Sequence, residues 1–226
     1  MRDSYENFFS NGYMSKHAFF EFGLNETIYA PYEEAEKEWE ALKLRIASNQ
    51  TAFIRGFGRD AGGTHLFLSL YEKLFDNANI LKDPSNNSAP TRLIRDLTGY
   101  SKTPNSKFES IRNYQISHVF GRTKNVFAFT APWNIVYMPK LLDPLTGHEA
   151  KGQMVTEFTA LFREQSYARF GKLIDDFNEV ISNPQFLASL GGSLKELKDQ
   201  TIFQDVDFQK FEKAVKREFE PIVVSS

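Results

Sequence analysis

The sequence predicts a mainly helical α+β protein in which a small strand–strand–helix unit is embedded among helices. Three observations carry that prediction. Apolar residues recur at three- and four-residue spacing through most of the chain. One tract, Tyr114 to Pro139, is instead rich in aromatic and β-branched residues. Finally, 226 residues at 41% hydrophobic and 25% charged suit one domain with a sizeable core.

The elements follow in order. After Pro31, apolar Tyr32, Ala35, Trp39, Leu42 and Ile46 form one face of a helix whose other face is rich in Glu and Lys. Thr51–Arg55 is a short apolar strand, Gly56 to Gly63 a flexible loop, and Thr64–Phe75 a second helix. Asp83–Ala89 is dense in turn formers; Pro90 then starts a short helix that Gly99 ends at C′.

Tyr114–Pro139 reads as two short strands joined by an irregular loop around Gly121-Arg122-Thr123-Lys124-Asn125. Helical spacing resumes at His148 and runs through Met154, Phe158, Phe162, Phe170, Ile174, Phe177 and Ile181, until Ser182-Asn183-Pro184 stops it. Gly191-Gly192 is expected to separate this from a last helix, with Asp207 as a candidate cap and Phe211, Val215 and Phe219 on one face. The chain therefore reads as one domain over residues 1–226, with the ββα unit at about 114–165 and a helical C-terminal region at 184–226.

Composition excludes several functions. No apolar run approaches a bilayer span and mean hydropathy is −0.43, so no membrane partner is expected. The first residues lack the apolar core of a signal peptide, and the absence of cysteine fits a reducing cytoplasm, which is the expected location. Without thiolates, any metal must be held by His, Asp, Glu or Asn. The net charge of −2 does not advertise nucleic acid, but seven basic residues (Arg92, Arg95, Lys102, Lys107, Arg112, Arg122, Lys124) stand against Asp96 and Glu109 between Arg92 and Asn125. Such a block suits a phosphate-binding face, because each cation near a phosphate releases condensed counterions.

Chemistry concentrates in one tract. His118 ends the first predicted strand, Asn134 opens the second, and Asp143 and His148 lie nine and fourteen residues past Asn134, where the long helix is expected to begin. A strand-end His, then an Asn, then a metal-capable residue entering a helix resembles the HNH, or ββα-metal, endonuclease superfamily, and more loosely the type II restriction enzymes that use that motif. The resemblance covers about Tyr114 to Gly152. It implies that His118 is the general base, that Asn134 holds the imidazole through its side-chain carbonyl, and that Asp143 and His148 are candidate ligands of a divalent cation, Mg²⁺ or Mn²⁺.

Those residue types match the reaction. Phosphodiester hydrolysis must deprotonate a water, which an imidazole titrating near ~6.5 can do at neutral pH. It must also neutralise charge at phosphorus, which a hard cation does. Pro144 disfavours a helical Asp143 and suits Asp143 as the cap of a helix carrying His148 in its first turns. Arg122 and Lys124 in the loop, with Arg112 and Lys151, are the expected phosphate contacts. Ser117 stands where many family members carry an acidic ligand, and their structural cysteine pairs are absent.

The implied partner is double-stranded DNA, cut by a homodimer if the target is a palindrome. The alternative is a non-catalytic nucleic-acid-binding or interaction module using the basic 92–125 face. Gly56-x-Gly58-x-x-Ala61 formally matches a dinucleotide fingerprint, but no alternation of strands and helices follows; the loop equally suits DNA-backbone contact through Arg55 and Arg59. His17 and His65 read as structural.

Overall fold

The computed structural model describes residues 3–58, 61–104, 106–146, 150–200 and 205–224, with backbone only for 205–207. The fold is α+β and mainly helical. Eight α-helices are present among these residues: α1 (Ser4–Ser10), α2 (Lys16–Asn25), α3 (Tyr32–Ala47), α4 (Thr64–Phe75), α5 (Ser88–Thr98), α6 (Gln153–Ser182), α7 (Pro184–Gln200) and α8 (Asp205–Glu218). Six short strands pair two by two. β1 (Ala52–Ile54) runs parallel to β2 (Ile80–Lys82), β3 (Tyr100–Ser101) parallel to β4 (Glu109–Ser110), and β5 (Tyr114–His118) antiparallel to β6 (Ile135–Pro139). A 3₁₀ helix, Lys140–Thr146, follows β6.

The helix α3 shows how sequence becomes packing. Its first turn carries Glu33 and Glu34 and its last turn Arg45, which complements the helix dipole at both ends. Ala35, Trp39, Leu42 and Ile46 are buried, as their spacing predicts. Trp39 meets Trp133 edge-on at 5.7 Å and Phe177 of α6 at 6.4 Å, and its Nε1 donates to Asp176 at 2.6 Å. An aromatic centre of the core is thus assembled from α3, the loop before β6, and α6. At Phe170 the backbone leaves helical geometry (φ −125°, ψ 18°), and α6 bends there beside Gly171.

The β5–β6 pair is the sequence's two-stranded tract realised. Its register sets His118 opposite Ile135 and Ser117 opposite Val136. All five residues of β6 are buried, and each large apolar side chain so withdrawn from water contributes roughly 1.5–3 kcal/mol. Tyr137 also pairs with Ile28, which covers the other edge of β6. Gly23 is required by a close approach: a Cβ there would fall 2.6 Å from Leu142 of the 3₁₀ helix.

Several boundaries differ from the sequence reading. The helix expected from His148 begins at Gln153, behind Gly152 at φ 119°. Gly191-Gly192 interrupts nothing: α7 runs through both because Leu190, Ser193 and Leu197 are buried on one side of it. The last helix starts at Asp205, which makes Asp207 a first-turn residue rather than its cap. Gly99 ends α5 at φ 75° as expected, but α5 begins two residues before Pro90. Among the described residues no helix is long and apolar enough to cross a membrane.

Candidate active site

His118 is the last residue of β5 and is 7% exposed. Its Nε2 lies 2.9 Å from the Phe129 carbonyl oxygen, and its ring stacks on that of Phe129. A carbonyl can only accept, so Nε2 carries a hydrogen. Ser117, beside it, is buried.

Asn134 is fully buried, and its amide organises the loop between the strands. Oδ1 accepts from the Phe120 N–H at 2.8 Å, while Nδ2 donates to the carbonyls of Gly121 and Ala128, each at 2.9 Å. The expected hold of Asn134 on the imidazole is therefore corrected. Phe129 supplies the carbonyl for His118, and Asn134 acts on it through the loop backbone.

That loop turns sharply, with Gly121 and Arg122 both at positive φ, 68° and 54°. The turn sends residues 122–125 against α8. Arg122 donates from its guanidinium to the Arg217 carbonyl and lies 3.6 Å from Glu220. Glu218 accepts from the N–H groups of Lys124 and Asn125 at 2.9 and 3.1 Å, and Asn125 Nδ2 returns a hydrogen bond to the Glu218 carbonyl at 2.9 Å. Burial pushes the Glu218 carboxyl above the ordinary range, against the pull of Lys124, the two amides and Arg122. Arg122 and Lys124, expected as phosphate contacts, are thus engaged in bracing α8.

Loop, helix and strand end enclose a cleft of about 1050 Å³. His118 lines it together with Thr146 and Thr159. Its cations are Arg55, Arg122, Lys124, Arg163, Lys210, Lys213 and Arg217, against the carboxylates Glu218 and Glu220. Partial loss of water and the charge of Arg122 hold the Arg163 guanidinium below the ordinary arginine range. Burial lowers Arg122 likewise.

The remaining expected residues separate. Arg112 and Lys151 are exposed and do not line the cleft. Asp143 lies within the 3₁₀ helix, not at an α-helix cap, and its carbonyl accepts from Thr146 Oγ1. His148 and Arg59 lie outside the described residues. Among the described residues no three His, Asp or Glu side chains gather as a metal site. The basic Arg92–Asn125 block is not one face either: Arg92 lines a separate hollow beside Glu38, and Arg95 pairs with Asp96 and covers Phe108. Gly56 is closely approached by Ala61, whose side chain a Cβ on Gly56 would meet at 2.8 Å.

Sequence reasoning missed Arg163, Lys210, Lys213 and Arg217. A signal was present in the basic stripe Lys210, Lys213, Arg217, spaced three and four apart beside the apolar stripe Phe211, Val215, Phe219.

The fold and cleft define an α+β protein with a histidine on the wall of a cationic groove. Residues 30–224 match the family model for Uncharacterised protein PM1201, and the chain belongs to that family. It is 37% identical over 222 residues to Uncharacterized protein PM1201 of Pasteurella multocida (strain Pm70), covering 98% of this chain and 97% of that protein. No solved structure matches it.

Proposed function

We propose that this chain is an endonuclease that hydrolyses DNA phosphodiester bonds, with His118 as the general base. One observation carries the reading: His118 lines a cleft in which seven cationic side chains outnumber two carboxylates. A polyanion is drawn to such a surface, and fixed cations stabilise charge that develops at phosphorus. In the reaction a water oxygen bonds to phosphorus as the bond to the leaving sugar oxygen breaks. The water proton passes to the His118 imidazole, and the leaving oxygen takes a proton from solvent.

The resemblance to ββα-metal nucleases adds a divalent cation, with Asp143 and His148 as its ligands. Asp143 alone does not make a cation site, so the metal requirement is measured directly. If both strands of a palindrome are cut, a twofold homodimer is the matching assembly.

The test incubates the purified protein with plasmid DNA in Mg²⁺, Mn²⁺ or EDTA, beside His118→Gln. Glutamine can still donate to the Phe129 carbonyl but cannot act as the base. Discrete metal-dependent fragments, lost in the variant at unchanged melting temperature, are expected. Cleavage retained by the variant would remove His118 from the mechanism.

A second reading, nucleic-acid binding without hydrolysis, is favoured by buried Ser117 beside His118, where many ββα-metal nucleases carry an acid. It predicts equal DNA binding with and without EDTA and no cleavage.

A further inference from the structure

We infer that α8, with Arg163 of α6 and Arg55 after β1, forms the wall that grips the phosphate backbone of duplex DNA, and that Arg122 and Lys124 hold this wall in position. The inference deepens the endonuclease reading by naming which residues would hold the strand, and it rests on that reading for the choice of DNA.

The charges divide into two groups. Arg122 and Lys124 are matched within the protein by Glu220 and Glu218. Among the described residues, Arg55, Arg163, Lys213 and Arg217 line the same cleft and none of the four pairs with a carboxylate. Lys213 and Arg217 are four apart on α8, hence on one helix face.

Like charges also converge here. The charge of Arg122 acts unfavourably on that of Arg163, and the buried Nε of Arg122 has no hydrogen-bond acceptor. An anion from outside that approaches Arg163 offsets the repulsion between the two guanidinium groups. A cleft of about 1050 Å³ is far larger than one phosphate needs and has cations on two helices and two loops, which suits a run of phosphates.

The test is fluorescence anisotropy of a labelled DNA duplex, in EDTA so that hydrolysis plays no part, over a range of KCl concentrations. The variants are Lys213→Gln with Arg217→Gln, Arg163→Gln on a different helix, and Lys37→Gln as a control on exposed α3 surface. Taking one cation away from a phosphate should weaken binding about tenfold at 0.1 M salt and lower the slope of log K against log salt by about 0.9. The double variant should therefore lose about a hundredfold, Arg163→Gln about tenfold, and the control nothing, at unchanged melting temperature.

If the unaltered protein fails to bind the duplex, or the cleft variants bind as it does, the inference is overturned. It is overturned as well if single-stranded RNA displaces the duplex at equal concentration. Binding that depends on this wall without any cleavage in Mg²⁺ would remove the endonuclease reading and leave the wall standing. Cleavage that persists while binding ignores these residues would do the reverse.

Discussion

The imidazole of His118 lies face to face with the ring of Phe129, centroids 5.4 Å apart and planes 10° from parallel, while its Nε2 donates to the same residue's carbonyl at 2.9 Å. One residue thereby sets both the plane and the tautomer of the histidine. Nitrogen NMR of labelled protein should find His118 as the Nε2–H tautomer with an exchange-protected ring proton. An Nε2 without a proton would contradict this geometry.

Asn134 is the residue on which the loop depends most. Asn134→Ala leaves the buried Phe120 N–H and the part-buried Gly121 carbonyl without their partner, and the Ala128 carbonyl with only the Ala131 N–H. With a buried group left unpaired costing about 1–3 kcal/mol, a loss of at least about 2 kcal/mol is expected. Chemical denaturation measures it: the midpoint should fall with an unchanged slope, and a shift as small as that of an exposed substitution would show the loop to be held elsewhere.

Glu218 gives the protein a pH dependence of definite sign. Burial raises its carboxyl above the ordinary 4.5, so the folded state binds the proton more tightly than the unfolded chain. The stabilisation is complete below 4.5 and is lost as pH rises through the folded value. Unfolding midpoints measured upward from 4.5 should show that fall, and Glu218→Gln, which cannot ionise, should flatten it. Identical profiles for the two proteins would exclude Glu218 as the source.

Three tyrosines mark the alkaline limit. Burial pushes Tyr29, Tyr114 and Tyr137 up to about 12, with Glu26 adding to the shift at Tyr114. The folded state thus favours the neutral phenols, and this stability, intact below 10, is lost as pH rises towards 12. Ultraviolet titration of phenolate should show a late fraction that Tyr137→Phe and Tyr114→Phe reduce. Full ionisation in a single early step would place these side chains in water.

Elements with strong local periodicity were legible in the sequence: α3 and α4 match their expected spans, and β5 and β6 lie in the tract that composition marked. Elements made by tertiary contact were not. Three-residue β2 exists because β1 offers it an edge, and α7 survives two glycines because its flank is buried. The site divides the same way. His118 was readable from local order, but the cleft's other cations come from residues as distant as Arg55 and Arg217, joined only by folding. Arg122 and Lys124 looked like ligands because linear spacing does not reveal that Glu218 lies against them.

The hydrogen bonds from Asn125 to Glu218 span 93 positions of chain. A ribosome adding roughly 5–20 residues per second needs roughly 5–20 s to cover that distance. For that interval the nascent protein carries His118 on a groove with one side missing. Any activity of this groove is thus withheld from the half-made polypeptide and arrives only with α8.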